Sequence, residues 1–275
     1  MLDLIKNELF SLGLDTVGAL PLEKCRVVRE YKLRKCGFED LSGLHVIIFA
    51  IPYYTEHKKK NISSYCIPRD YHLYCKELFG TLLPRLKERF SGYKFEGFAD
   101  DSPIDERDAA ARAGLGIIGD NGMLITPKYS SYVFLAEIVT SLPFDCDTER
   151  EIERCEGCGA CKRACPMSEI GECLSALTQK KGELTESEIN TIEKYGTAWG
   201  CDLCQEVCPH TLKAIKDGTI YTNIDFFKTE LTPTLTKRAI EDMGDEEFSA
   251  RAYSWRKKET LLRNLSILEN SKKRG

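Results

Sequence analysis

The sequence predicts an N-terminal α/β (α+β) domain, then a small domain organised by cysteines, then a short helical tail. Three observations carry that division. Apolar runs of strand length alternate with stretches of helical spacing along the first half of the chain. Cysteine density jumps at Cys155, and beyond Cys208 the chain turns polar, helical and finally basic. The boundaries implied are 1–145, 146–215 and 216–275, with the first linker between Pro143 and Arg154.

Residues 2–12 read as a helix, 16–21 as a short strand, and a second helix is expected to run through Arg29. Residues 46–51 form a continuous β-branched apolar run ending at Pro52, the pattern of a buried strand. Between 70 and 90, Tyr74, Leu78, Leu82, Leu83 and Leu86 recur at helical spacing, and Gly80 and Pro84 are expected to break this helix in two. A strand is expected at 95–99. Ser102 is the expected cap of a helix over 104–113, with Pro103 in its first turn, Asp105 completing a capping box and Gly114 stopping it. Residues 131–140 read as another buried strand. In the tail, Leu261, Leu262, Leu265 and Leu268 mark an amphipathic helix docked on the body. Residues 251–274 hold eight Lys or Arg against Glu259 and Glu269.

The net charge of −4 comes from 43 acidic and 39 basic residues, so no whole-molecule field draws nucleic acid, and any such partner must meet a local patch. The first residues lack the basic-then-apolar layout of a secretory signal, and the apolar runs are too short to span a bilayer. The expectation is a cytoplasmic monomer without membrane contact. In that reducing compartment thirteen cysteines point to metal or redox chemistry rather than to disulfides.

Cys155, Cys158, Cys161 and Cys165, the last followed by Pro166, have the spacing of two-cluster ferredoxins, in which the fourth cysteine serves the other cluster. A second segment holds Cys201, Cys204 and Cys208, with Cys173 between. The expected assignment is Cys155, Cys158, Cys161 and Cys208 on one [4Fe-4S] cluster, and Cys165, Cys173, Cys201 and Cys204 on the other, in a ferredoxin-like domain. Zinc knuckles are the alternative, but they leave the third cysteine of the first run and the Cys-Pro ends without a purpose. Cys25, Cys36, Cys66, Cys75 and Cys146 lack ligand spacing and are expected to be free thiols packed as small hydrophobes. His210 reads as a helix-start residue rather than a ligand.

Clusters imply electron transfer without naming a reaction. No dinucleotide fingerprint follows a strand; the glycines at 114, 116 and 119 follow a helix instead. The ordered motifs Arg69-Asp70-Tyr71-His72, Asp100-Asp101-Ser102-Pro103 with Glu106-Arg107, Ala111-Arg112-Ala113-Gly114-Leu115-Gly116, Asn121, the run Ser131 to Glu137, the cysteines, and Ser254-Trp255-Arg256 with Arg263-Asn264 resemble the epoxyqueuosine reductase family. The resemblance identifies the chain as a short form lacking that family's C-terminal helical repeats. Asp120 stands where the family usually has lysine, Glu172 where it has arginine and Ser130 where it has glycine.

The resemblance implies an enzyme that reduces epoxyqueuosine to queuosine at the tRNA wobble position. It implies a cobalamin seated between the first domain and the clusters, with electrons from an unidentified low-potential donor. It assigns catalysis to Asp100, expected to protonate the epoxide oxygen with a pKa moved toward neutrality by burial against the apolar corrin and by Asp101. It assigns cofactor contacts to Arg112, Asn121, Ser131, Ser175 and Thr178, and offers the small side chains of 109–116 as a face a flat macrocycle could approach. Tyr253 and Trp255 are candidates to stack on RNA bases beside the basic residues of the tail. Two other readings stay open: a cobalamin reductase acting on a small molecule, and an electron-transfer protein without corrin.

Overall fold

A computed structural model of the chain describes residues 1–146 and 150–274. Residues 147–149, within the expected linker, and Gly275 lie outside the described residues.

Four strands form one antiparallel sheet: β1 (Thr16–Pro21), β2 (His45–Pro52), β3 (Phe95–Phe98) and β6 (Val133–Thr140), in the order β1-β2-β6-β3. All pairings being antiparallel, the architecture is α+β. Two short strands, β4 (Ile117–Ile118) and β5 (Leu124–Ile125), make a separate hairpin. The long central strands were legible because β2 is buried from Val46 onward on both faces. Its alternate residues separate cleanly. Ile47, Phe49 and Ile51 join one core, while Val46, Ile48 and Ala50 join the other.

The first face is covered by α1 (Leu2–Ser11) and α3 (Tyr71–Arg89), through Ile5, Leu9, Leu78, Leu82 and Leu86. The opposite face takes α2 (Glu30–Lys35) and α4 (Glu106–Arg112). Full burial of each such Leu, Ile or Phe contributes about 1.5–3 kcal/mol, so this helix-sheet-helix sandwich is the main store of stability. Where α4 ends, Gly18 of β1 has no room for a side chain: a Cβ there would lie 2.4 Å from the Ala113 carbonyl oxygen.

Three local expectations are corrected. The helix expected to run through Arg29 begins only after it, at Glu30; residues 22–24 are a single 3₁₀ turn. Helix α3 is continuous through Pro84. The carbonyl that loses its donor and faces the proline ring belongs to residue 80, four positions earlier, which is the exposed Gly80, where an unpaired oxygen is not shut away from solvent. The cap of α4 is Asp105, whose carboxylate accepts from the Asp108 N–H at 3.3 Å. The Ser102 hydroxyl is engaged elsewhere.

The remaining helices are α5 (Ala160–Ala164), α6 (Leu174–Thr178), α7 (Glu186–Tyr195), α8 (Leu203–Glu206), α9 (Pro209–Lys216), α10 (Lys237–Asp242), α11 (Asp245–Ser249) and α12 (Lys257–Arg274). Most of them enclose a second core around Trp199, Leu174, Ile192, Tyr253, Leu261 and Leu265. The stretch after α9 returns to the first core, where Ile220, Ile224 and Phe227 are buried. Helix α12 docks as its leucine spacing predicts, against α7 and α10. Among the described residues no helix is long and apolar enough to cross a membrane.

Asn264 fixes that docking. Fully buried, its Nδ2 donates to the carbonyls of Thr178 at 2.6 Å and Ala198 at 2.9 Å. Asn264→Ala strips both carbonyls of their donor and is expected to cost about 3 kcal/mol, read as a lowered urea midpoint with an unchanged slope.

Candidate active site

The first expected group of thiols converges. Gly157 and Gly159 take φ values of 67° and 71°, which suits glycine and folds 155–161 into a tight turn. Cys155, Cys158, Cys161 and the distant Cys208 line one cavity with about 340 Å³ of empty space, partly open to solvent. Cys208 reaches it from the start of α9, where Pro209 occupies the first helical position. The Asp120 peptide N–H donates to Cys155 Sγ at 3.3 Å. The Asp120 side chain, a charge reversal against the family habit, pairs with Lys162 at 3.4 Å.

The second group gathers around α8. Burial pushes the Cys201 thiol up to about 12 and Cys204 to about 11, and both also feel the negative potential of Cys173; Cys204 feels Cys165 and Cys161 as well. The two groups therefore adjoin, with Cys161 on α5 and Cys204 on α8 at the seam. Among the described residues no set of three Cys, His, Asp or Glu side chains closes on the single point one metal ion needs. His210 stands in the first turn of α9 and contacts Glu156 at 3.2 Å, as a helix-start residue does. Of the other cysteines, Cys66 and Cys75 are buried and Cys25, Cys36 and Cys146 half-buried.

The five expected corrin contacts each have polar partners within the chain. Ser131 is buried and donates to Gln205 Oε1 at 2.9 Å. Thr178 is fully buried, donating to the Ser175 carbonyl and accepting from the Gly200 N–H. Ser175 Oγ accepts from Gln179. Arg112 pairs with Asp108 at 2.8 Å. Asn121 caps its own turn by accepting from the Met123 N–H and borders the cavity lined by Cys155, Cys158, Cys161 and Cys208. The small residues Ala109, Ala110 and Ala111 pack into the core under the sheet rather than facing a macrocycle. Tyr253 is fully buried, which removes it as a base platform, while Trp255 is 57% exposed with the Arg256 guanidinium 3.8 Å over its ring. Ser130, at the usual glycine position, has φ 51° and is tied to Thr211 at 2.7 Å.

Asp100 occupies an exposed turn between β3 and α4 with φ 63°, a left-handed conformation that costs a non-glycine residue of order 1 kcal/mol. His72, in the first turn of α3, faces it, with Nε2 3.6 Å from the Asp100 carboxylate, while Nδ1 lies 2.8 Å from Asp70, the cap of that helix. Held between Asp100 and Asp70, the imidazole has its pKa raised to about 9. In the chain alone, contact with His72 lowers the Asp100 carboxyl below its usual value, the opposite direction to the one expected with a corrin packed against it. Asp101, expected to raise it, turns away to Lys32 and Arg29. At neutral pH the proton of this pair sits on His72. Sequence reasoning gave His72 no role; its position next to Asp70 at a helix start was the signal available.

The chain spans 54% of the length of one curated relative, the epoxyqueuosine reductase of Listeria monocytogenes, to which it is 34% identical over 72% of its own residues. To the epoxyqueuosine reductase of Synechocystis it is 31% identical, over 81% of this chain and 82% of that one. The chain belongs to the epoxyqueuosine reductase family. Among solved members, an epoxyqueuosine reductase bound to an epoxyqueuosine-modified tRNA-Tyr stem loop superposes with a TM-score of 0.75 at 25% identity, covering 97% of this chain and 80% of that one. An epoxyqueuosine reductase of Bacillus subtilis, captured with its catalytic aspartate loop swung out of the active site, matches with the same values. No protein-family model matches.

Two outcomes follow from this geometry. In oxygen-free reconstitution, Cys208→Ser and Cys204→Ser are each expected to bind about half the iron of the parent chain, because each thiol belongs to a different group. Asp100→Asn is expected to lower the His72 midpoint by about one pH unit or more, followed by the NMR shifts of the ring. By linkage, the raised pKa makes the pair's contribution complete below about 6.5 and removes it as pH rises through about 9.

Proposed function

We propose that the chain reduces epoxyqueuosine to queuosine in tRNA, with [4Fe-4S] clusters on Cys155, Cys158, Cys161 and Cys208 and on Cys165, Cys173, Cys201 and Cys204. The observation that carries this reading is the exposed Asp100–His72 pair in a family member whose thiols gather into two adjoining groups of four. Removing an epoxide oxygen as water takes two electrons and two protons. The clusters would relay electrons from a low-potential donor, and cobalamin, implied by family, would supply the reduced metal that meets the epoxide carbon.

What the chain itself contributes is a proton at a stated place. His72 is charged through the neutral range, and its Nε2 proton faces the Asp100 carboxylate. An alkoxide forming as the epoxide opens is a far stronger base than either group, so the proton passes to it from this pair. Asp70 holds the ring by its Nδ1 and so fixes which nitrogen faces Asp100. The exposed setting of the Asp100 turn leaves room for a substrate as large as an RNA loop. Trp255 with Arg256 offers a platform for a base or a phosphate on that partner.

The test is conversion of an epoxyqueuosine-bearing stem loop by the anaerobically reconstituted chain with a strong reductant. Asp100→Asn is expected to keep iron and corrin and to lose about 10²–10⁴ in rate. A chain that holds both clusters but retains no corrin would leave the electron-transfer reading standing instead. A corrin-loaded chain that turns over no tRNA would favour a small-molecule substrate.

A further inference from the structure

Beneath the Asp100 turn lies a second acidic pair with no part in the chemistry described above. Glu137 sits mid-strand in β6, between Ile48 of β2 and Phe98 of β3, and is fully buried. One oxygen accepts from the Ser102 hydroxyl, which itself accepts from the Ile104 N–H. The other, Oε2, has no donor among the described residues. The Glu106 carboxyl, at the start of α4, interacts with it. Two carboxyl groups bond only when one of them keeps its proton. Glu106 also accepts from the Asp100 peptide N–H at 3.1 Å, so the pair is tied directly to the left-handed residue.

We infer that Glu106 and Glu137 share one proton and act together as positioning residues for Asp100, the shared proton keeping Glu106 in place to hold the Asp100 peptide in its left-handed turn. The inference rests on the reading of Asp100 as the acid-base residue. Burial raises both carboxyls; the Glu106 charge raises Glu137 further, while the hydrogen bond from Glu137 draws Glu106 back down toward the ionised, accepting role. The surrounding groups reinforce this. Asp100 and Asp105 face Glu106 from the turn, Tyr71 and Cys75 from α3, and Cys25 faces Glu137 from the loop after β1. Both thiols are themselves pushed up to about 12 and stay neutral. Arg29 lies near Asp100 and bonds the Ser102 carbonyl at 2.9 Å, outside the carboxyl pair. Loss of the shared proton sets two carboxylates against each other in a site of low dielectric, beside a third on Asp100. Glu106 is the more exposed of the two and is the one displaced, releasing the Asp100 N–H.

The experiment is infrared titration of the reconstituted chain, read at the stretch of a protonated carboxyl group, together with the pH profile of turnover. One such band is expected from the parent chain, absent in Glu137→Gln; in Glu106→Gln, where burial alone still protonates Glu137, it is expected to persist but to titrate at lower pH than in the parent. In Glu137→Gln the amide donates permanently to Glu106, so the alkaline fall in turnover is expected to move up to the His72 titration near pH 9. A band missing from the parent chain, surviving in Glu137→Gln, or titrating in Glu106→Gln at the parent's pH overturns the inference. So does a Glu137→Gln profile lowered evenly at all pH values, which is what mere loss of packing gives. The infrared arm reads the shared proton even if Asp100→Asn proves fully active, which would remove the catalytic reading alone.

Discussion

Cysteines from 155–161 meet Cys208 at one cavity, and among the contacts that pin the 201–208 segment against the sheet-bearing half the most heavily bonded is a buried carboxylate. Asp202 lies between Cys201 and Cys204 and is almost fully enclosed. It accepts from Lys60, from the hydroxyl of Ser63, and from both the peptide N–H and the hydroxyl of Ser64. Gln205 extends the network to Ser131 beside β6. An enclosed carboxylate with this many donors is stable where it is and costly to disturb. The thiol positions on α8 thus inherit the rigidity of the N-terminal half.

The same half sets the acidic corner. A sheet residue, a helix start and a tight turn each contribute one carboxyl, from Glu137, Glu106 and Asp100, and His72 of α3 brings the balancing charge. The corner is layered by solvent access. The outermost carboxyl is ionised because an imidazolium faces it; the innermost stays protonated or shares its proton because nothing cationic reaches it among the groups that act on it. Residues of one chemical type thereby acquire opposite protonation from their surroundings.

The parts of this structure visible in the sequence are those governed by local pattern. The long strands and α1 announce themselves by periodicity, α12 by its leucines, and the cysteine groups by spacing that tertiary structure then had to satisfy. The errors lie where a partner distant in the chain decides. Ser102 fails to cap α4 because Glu137, 35 residues on, takes its hydroxyl. Asp101 turns away from Asp100 because Lys32 and Arg29, about seventy residues earlier, take its carboxylate. Pro84 was misread for a local reason: the residue four before it is glycine, which lets the helix absorb the ring. One clue was present and unused, since a carboxylate at 137 inside an otherwise apolar strand signals a buried acid with work to do.

The grip of Asn264 on the carbonyls of Thr178 and Ala198 has a temporal side. The backbone flanking Cys173 and Cys201 is completed by a residue some sixty positions downstream of the last of these cysteines. During synthesis these cysteines emerge before the helix that completes the backbone beside them, so the segment carrying Cys173 and Cys201 reaches its final shape only once α12 has been made and docked.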